Sequence, residues 1–199
     1  MNKLRHLNPG LEFDLLLIET VLIAEILGHY RSYQILGTLG NEISEDEPVA
    51  RSLRVAMDQE VERIFRLLGL LHPRLDLHSA YFGIQSKDPI VHDNSLEFLD
   101  NVMKPQMRQM LVPLLDSAVT MSERVAFANK MVGAELESQE EAVGTLVASP
   151  DPWLKSCGAY AIGALKLHSL TAALDECLHH SDPLLRETAR QARIRLAED

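Results

Sequence analysis

Asp151-Pro-Trp-Leu-Lys155 and Asp182-Pro-Leu-Leu-Arg186 are two copies of one local instruction, and Asp88-Pro-Ile-Val-His92 is a third. The step from Asp88 to Asp151 is close to twice the step from Asp151 to Asp182. In each copy, the Asp side chain can accept from the free N–H groups of a starting helix. The Pro falls where a helix has no use for an N–H and where its fixed φ already suits the first turn. Apolar residues at helical spacing follow, and Val91, Leu154 and Leu185 are expected at equivalent buried positions three residues past the cap. A recurrence of roughly 30 residues is the mark of one supersecondary unit stacked several times. A fourth copy is expected to open at Ser122, ahead of Val125, Ala128 and Val132, although its separations from Asp88 and from Asp151 are uneven.

Each of these helices is followed by a second apolar-periodic segment: Gln106–Ser117, Glu137–Ala148 and His168–His179. Upstream, Val49–Leu71 reads as a helix stopped by His72-Pro73, since a residue before proline is pushed out of the helical region. A shorter helix over Asp76–Gln85 completes that pair. Residues 49–199 thus read as one domain of four antiparallel helical hairpins plus an unpaired last helix, Pro183–Ala197. The last helix carries Arg186, Glu187, Arg190, Gln191, Arg193 and Arg195 at outer positions, a polar surface suited to closing a stack. Residues 1–48 read as a helical cap and acidic linker. Pro9-Gly10 opens a helix over Leu11–Leu39 that is apolar on most of its circumference through Ile26, a pattern expected of a helix buried between neighbours. The fold class expected is all-α, a right-handed α-solenoid with an N-terminal helical cap.

Paired helices whose first member opens Asp-Pro-x-Leu-(Arg/Lys) resemble HEAT-like repeats, especially the phycobilisome-lyase type, over Asp76–Leu196. Asp182, Pro183, Leu185, Arg186 and Ala189 fit that pattern best; His92 departs from it, and the Ser122 copy lacks both Asp and Pro. A narrower resemblance rests on Val61-Glu-Arg-Ile-Phe-Arg-Leu-Leu-Gly-Leu-Leu-His-Pro73, Ser95-Leu-Glu-Phe-Leu-Asp-Asn101 and Leu111-Val-Pro-Leu-Leu-Asp116. These are similar to the soluble HEAT segment of bacterial multidomain proteins that join a nucleotide-translocase-like membrane domain to HEAT repeats and often to a cyclic-nucleotide-binding domain. The resemblance implies a cytoplasmic coupling module tethered to a membrane through a longer chain. Bilin lyases have related repeats, which implies a chromophore-holding enzyme as the rival reading. A di-iron HEAT hydroxylase also resembles the fold but relies on His-Glu pairs, and none of the eight histidines here precedes a Glu.

The chemistry-bearing residues are sparse. With 19 basic against 29 acidic side chains, a net charge of −10 argues against wrapping a phosphate backbone, so nucleic acid is not the expected partner. HEAT-like DNA-repair glycosylases use basic concave surfaces. The nearest equivalent here is the stripe Arg186, Arg190 and Arg193, which reads instead as a solvated face with local ion pairs. Cys157 and Cys177 lack any Cys-x-x-Cys spacing and are expected to be small buried hydrophobes. His179-His180, adjacent on a helix, point about 100° apart and chelate poorly. The acidic runs Glu42–Glu47 and Glu135–Glu141 read as solvated linker and face, so no catalytic, cofactor or metal residues are expected. Gly158 and Gly163, inside a helix, are expected to permit close helix–helix approach. Glu19 and Glu25 interrupt the most apolar stretch, Leu15–Leu27, so no membrane span is expected.

The expectation is a non-catalytic protein-binding or scaffold module acting on a protein partner. Candidate partner-binding residues are Trp153, Lys155, Arg186, Arg190 and Arg193. Trp153, next to Leu154, is expected to fill a seam between repeats; exposed, it would be a binding anchor.

Overall fold

The structure, a computed structural model, describes residues 12–40 and 47–198. Among them are ten α-helices and no strand. They are α1 (Leu15–Leu39), α2 (Pro48–Leu71), α3 (Leu77–Ile84), α4 (Pro89–Val102), α5 (Pro105–Leu115), α6 (Met121–Val132), α7 (Gln139–Val147), α8 (Pro152–Ala164), α9 (Thr171–Cys177) and α10 (Pro183–Ala197). A 3-10 turn, His168–Leu170, leads into α9. The expected helix start at Pro9-Gly10 and Leu11, and linker residues 41–46, lie outside the described residues. No helix among the described residues is long and apolar enough to cross a membrane.

The helix starts follow the expected chemistry. Asp88, Asp151 and Asp182 accept from the amides of Ile90, Trp153 and Leu185 at 2.9, 2.8 and 3.0 Å, each with Pro at the first helical position. Asp76 caps α3 through the Ser79 amide, and Ser138 caps α7 through that of Glu141. The fourth copy corrects the expectation. Helix α6 is capped by Thr120, not Ser122: the Glu123 amide donates to Thr120 Oγ1 at 3.3 Å, and the Thr120 amide donates to Glu123 Oε2 at 2.8 Å. This reciprocal capping box satisfies two donors at once, which a serine two residues inside the helix cannot do. With Thr120 as cap, the steps from Asp88 to Thr120, Asp151 and Asp182 are equal to within one position, and the unevenness disappears.

The chain divides into two compact units. The first takes residues up to Arg31 and Asp58–Val132. Its core gathers Leu22, Ile26 and Tyr30 of α1, Ile64 and Leu68 of α2, Leu99 of α4, and Leu111 and Leu114 of α5. Tyr30 anchors the helices by donating its hydroxyl to the Met110 carbonyl at 2.7 Å while its ring meets Phe127. A buried pair, His29 Nδ1 and Glu60 Oε2 at 2.9 Å, links α1 to α2. Helices α3 and α4 approach closely at Gly83, where a Cβ would collide with Ser95. Gly133, just past α6, has φ of 76°, the left-handed conformation that commonly ends helices.

Two burial expectations fail in this unit. Over Leu15–Tyr30, α1 is buried on one side only: Ile18, Leu22, Ile26, His29 and Tyr30 are inside, while Leu16 is 74% and Leu17 60% exposed. Apolar residues around a circumference do not guarantee neighbours around it. Val91 is likewise exposed, and the buried position in α4 belongs to His92, whose Nε2 lies 3.2 Å from the Leu115 carbonyl at the end of α5.

The second unit takes Ser32–Met57 and Gly133–Asp199. Here α8 packs against α7 and α10, and α9 packs against α10 and touches α7 and α8. Glycine sets both α8 contacts, as expected. A Cβ on Gly158 would come within 2.7 Å of Val147, and one on Gly163 within 2.7 Å of Ala192 Cα. Leu146, Ile162, Leu174 and Leu185 are fully enclosed, with Leu53 from α2. Leu185 fulfils its expected burial, whereas Leu154 is only half-buried.

Candidate functional site

Two parallel helices in the second unit assemble the most distinctive surface. Gly163 meets Ala192, and Lys166, just past α8, donates to the Arg195 and Glu198 carbonyls at the end of α10. The Gly163–Ala192 and Lys166–Arg195 contacts keep one sequence offset, so α8 and α10 run in the same direction and carry their capped starts at the same end of the pair. Each capped end carries a large apolar residue two positions past the Asp. Trp153 is 51% and Leu184 51% exposed. Trp153 therefore does not fill a seam, contrary to expectation: α8 fills its packing faces with Ser156, Cys157, Gly158 and Ala159 one turn later.

The same side of the pair continues down the helices. Tyr160, seven residues after Trp153, shares its side of α8. The Arg195 guanidinium lies 5.0 Å from the Tyr160 ring centroid, and the Tyr160 hydroxyl donates to Glu47 at 3.3 Å. Indole, aliphatic chain, phenol and guanidinium thus form one amphipathic surface, and three of the four, the indole, phenol and guanidinium, are the groups enriched in protein-binding hot spots. Lys166 holds its end of the surface from a left-handed φ of 55°, unusual for a residue with a side chain.

The candidate residues do not come together. At 100° per residue, Lys155 points about 200° away from Trp153, and Arg186 about 200° away from Leu184. Their contacts agree. Arg186 donates to the His180 and Ser181 carbonyls at 2.8 and 2.7 Å, Arg193 pairs with Asp175 of α9 at 3.4 Å, and Lys155 acts electrostatically on Cys177. Arg190 pairs with Glu187 within its own helix at 2.5 Å. The basic stripe is therefore a set of local structural contacts on the α9 side. Trp153 belongs to a different face.

Leu184, Tyr160 and Arg195 were missed as site residues, yet a signal was present. Ile90, Trp153 and Leu184 occupy the same position after their caps, and Ile90 is 69% exposed in the first unit.

The titratable groups hold local structure together. Burial pushes the thiol of Cys157 up against the opposing effect of a hydrogen bond with Ser52, and burial also pushes up that of Cys177. Both cysteines are free and buried, as expected. His180 Nδ1 accepts from the Asp182 amide at 3.1 Å, so it shapes the turn into α10. Among the described residues no three His, Cys, Asp or Glu side chains converge as a metal site. No family model, curated protein or solved structure matches the chain.

Proposed function

We propose that the protein is a non-catalytic interaction module built as a short stack of HEAT-like helical hairpins, and that it binds a protein partner through the Trp153–Leu184 edge. The observation that carries the binding reading is the pair of large apolar side chains exposed at matching ends of two parallel, packed helices. Large apolar side chains exposed at one repeating position suit a repeat scaffold that grips an extended partner. The stack itself is supported by the near-constant cap intervals and by the two-layer packing of the second unit. There, first-type helices α8 and α10 lie together, and second-type helices α7 and α9 touch behind them.

In this reading the chain acts as a scaffold or coupling piece, in the manner of the cytoplasmic HEAT segments of membrane-associated bacterial proteins that its sequence resembles. Affinity capture tests it. A stoichiometric partner retained by the wild type is expected to be lost with Trp153→Ala/Leu184→Ala and kept with Lys155→Ala/Arg193→Ala. Retention by the first variant, with loss by the second, would transfer the binding role to the basic stripe.

A further inference from the structure

The exposed side of α1 in the first unit carries a second surface, independent of the Trp153–Leu184 edge. Leu17, Val21, Ala24 and Gly28 recur at i, i+4, i+7 and i+11, and all four are exposed, Leu17 by 60% and Val21 by 41%. Such alternating spacings of four and three draw one straight seam along a helix, opposite the buried Ile18, Leu22 and Ile26. No charged residue falls on it.

We propose that this seam is the interface of an antiparallel homodimer, α1 against α1 of a second copy. Shape selects the occupant. The seam tapers from Leu17 through Val21 and Ala24 to Gly28, where an added Cβ would meet nothing within 4 Å. A twofold axis between Leu22 and Ile23 sets Leu17 opposite the second copy's Gly28 and Val21 opposite its Ala24. Large faces small at each level, and the same patch serves both chains, as a twofold interface requires. Small residues also let two helix backbones approach to about 8 Å, the close end of helix packing.

Charge agrees with that orientation. Asp14, which caps α1 by accepting from the Leu16 and Leu17 amides, comes level with Arg31 of the other copy at both ends. Glu19 and Glu25 come level with Ile26 and Thr20, so no carboxylate meets another. A parallel pairing does the reverse: Leu17 crowds Leu17, Gly28 leaves a gap at Gly28, and Asp14 and Glu25 each meet their own copies.

Sedimentation equilibrium of the full chain up to about 0.5 mM, a range suited to a small and weakly associating interface, is expected to show a reversible dimer. Gly28→Leu, whose Cβ meets nothing within 4 Å in the isolated chain, sets Leu against Leu17 and is expected to weaken association about tenfold. Adding Leu17→Ala moves the bulk to the other side of the seam and restores it. Val21→Glu abolishes association, with circular dichroism checking that each variant keeps its helices. Mixing Leu17→Cys chains with Gly28→Cys chains under mild oxidation is expected to join unlike chains; Cys157 and Cys177 are buried and stay out of the exchange. A chain that stays monomeric, association indifferent to Gly28→Leu and Val21→Glu, or disulfides only between like chains would each overturn the proposal.

Discussion

Thr120 shows how much one residue's role depends on where a hydrogen bond closes. The sequence offered Ser122 as a cap because serine caps helices and the apolar spacing starts there. The structure puts the cap two residues earlier, because Glu123 can reach back to the Thr120 amide. Removing a cap of this kind costs about 1 kcal/mol. Thr120→Ala and Asp182→Ala are each expected to lower the unfolding free energy by that amount, read as a lower denaturation midpoint at unchanged slope, whereas Ser122→Ala should leave the midpoint unmoved. The caps also carry a pH signature. Hydrogen bonds from the Ser79 hydroxyl and amide hold the Asp76 carboxyl below the ordinary carboxylate range, and Thr120 does the same for Glu123. These groups keep their charge in the folded chain at pH values where the unfolded chain takes up protons. Their contribution is complete above about pH 5, clear of the ordinary carboxylate values, and is lost as pH falls through the lower folded values. Asp76→Asn is expected to flatten the fall of the thermal midpoint below that pH; an unchanged profile would show that the cap does not discriminate between charge states. Trp153, the sole tryptophan, supplies an optical test of its exposure. Its emission should be strongly quenched by acrylamide before unfolding, while a buried seam residue would be shielded.

Among the helices, the sequence was legible wherever a boundary had chemical punctuation. The last helix matches its expected bounds, Pro183–Ala197, because Asp182-Pro183 fixes the start. The second helices were placed less sharply: the 3-10 turn His168–Leu170 precedes α9, and α7 begins at Gln139 rather than Glu137. Burial was legible only where packing partners are themselves periodic. The apolar circumference of α1 could not say which side would be covered, and Trp153 could not say whether the seam beside it was already full. Glycine spacing was more informative, because a missing Cβ in a helix interior has little other use. Gly163→Val is expected to cost about 1–3 kcal/mol, since the nearest obstruction is backbone of α10 rather than a movable side chain. Gly28→Ala, with open space around it, is expected to stabilise the helix by about 1 kcal/mol at protein concentrations too low for association. Equal effects at the two positions would contradict the close α8–α10 approach.

For the molecule as a whole, a helical chain with regularly spaced caps is legible in the sequence, and the composition leans away from sheets. The binding face is not legible there, because it depends on helical phase: Trp153 and Lys155 are two residues apart in sequence but lie on opposite sides of α8. The exposed Trp153–Leu184 edge is the core of the functional reading, and photocrosslinking is its sharpest test. A benzophenone amino acid is placed at position 153, 184 or 155 of the full chain in living cells. One shared partner adduct is expected from positions 153 and 184, and none from 155. Adducts from 155 alone, or none from any of the three, would refute the reading.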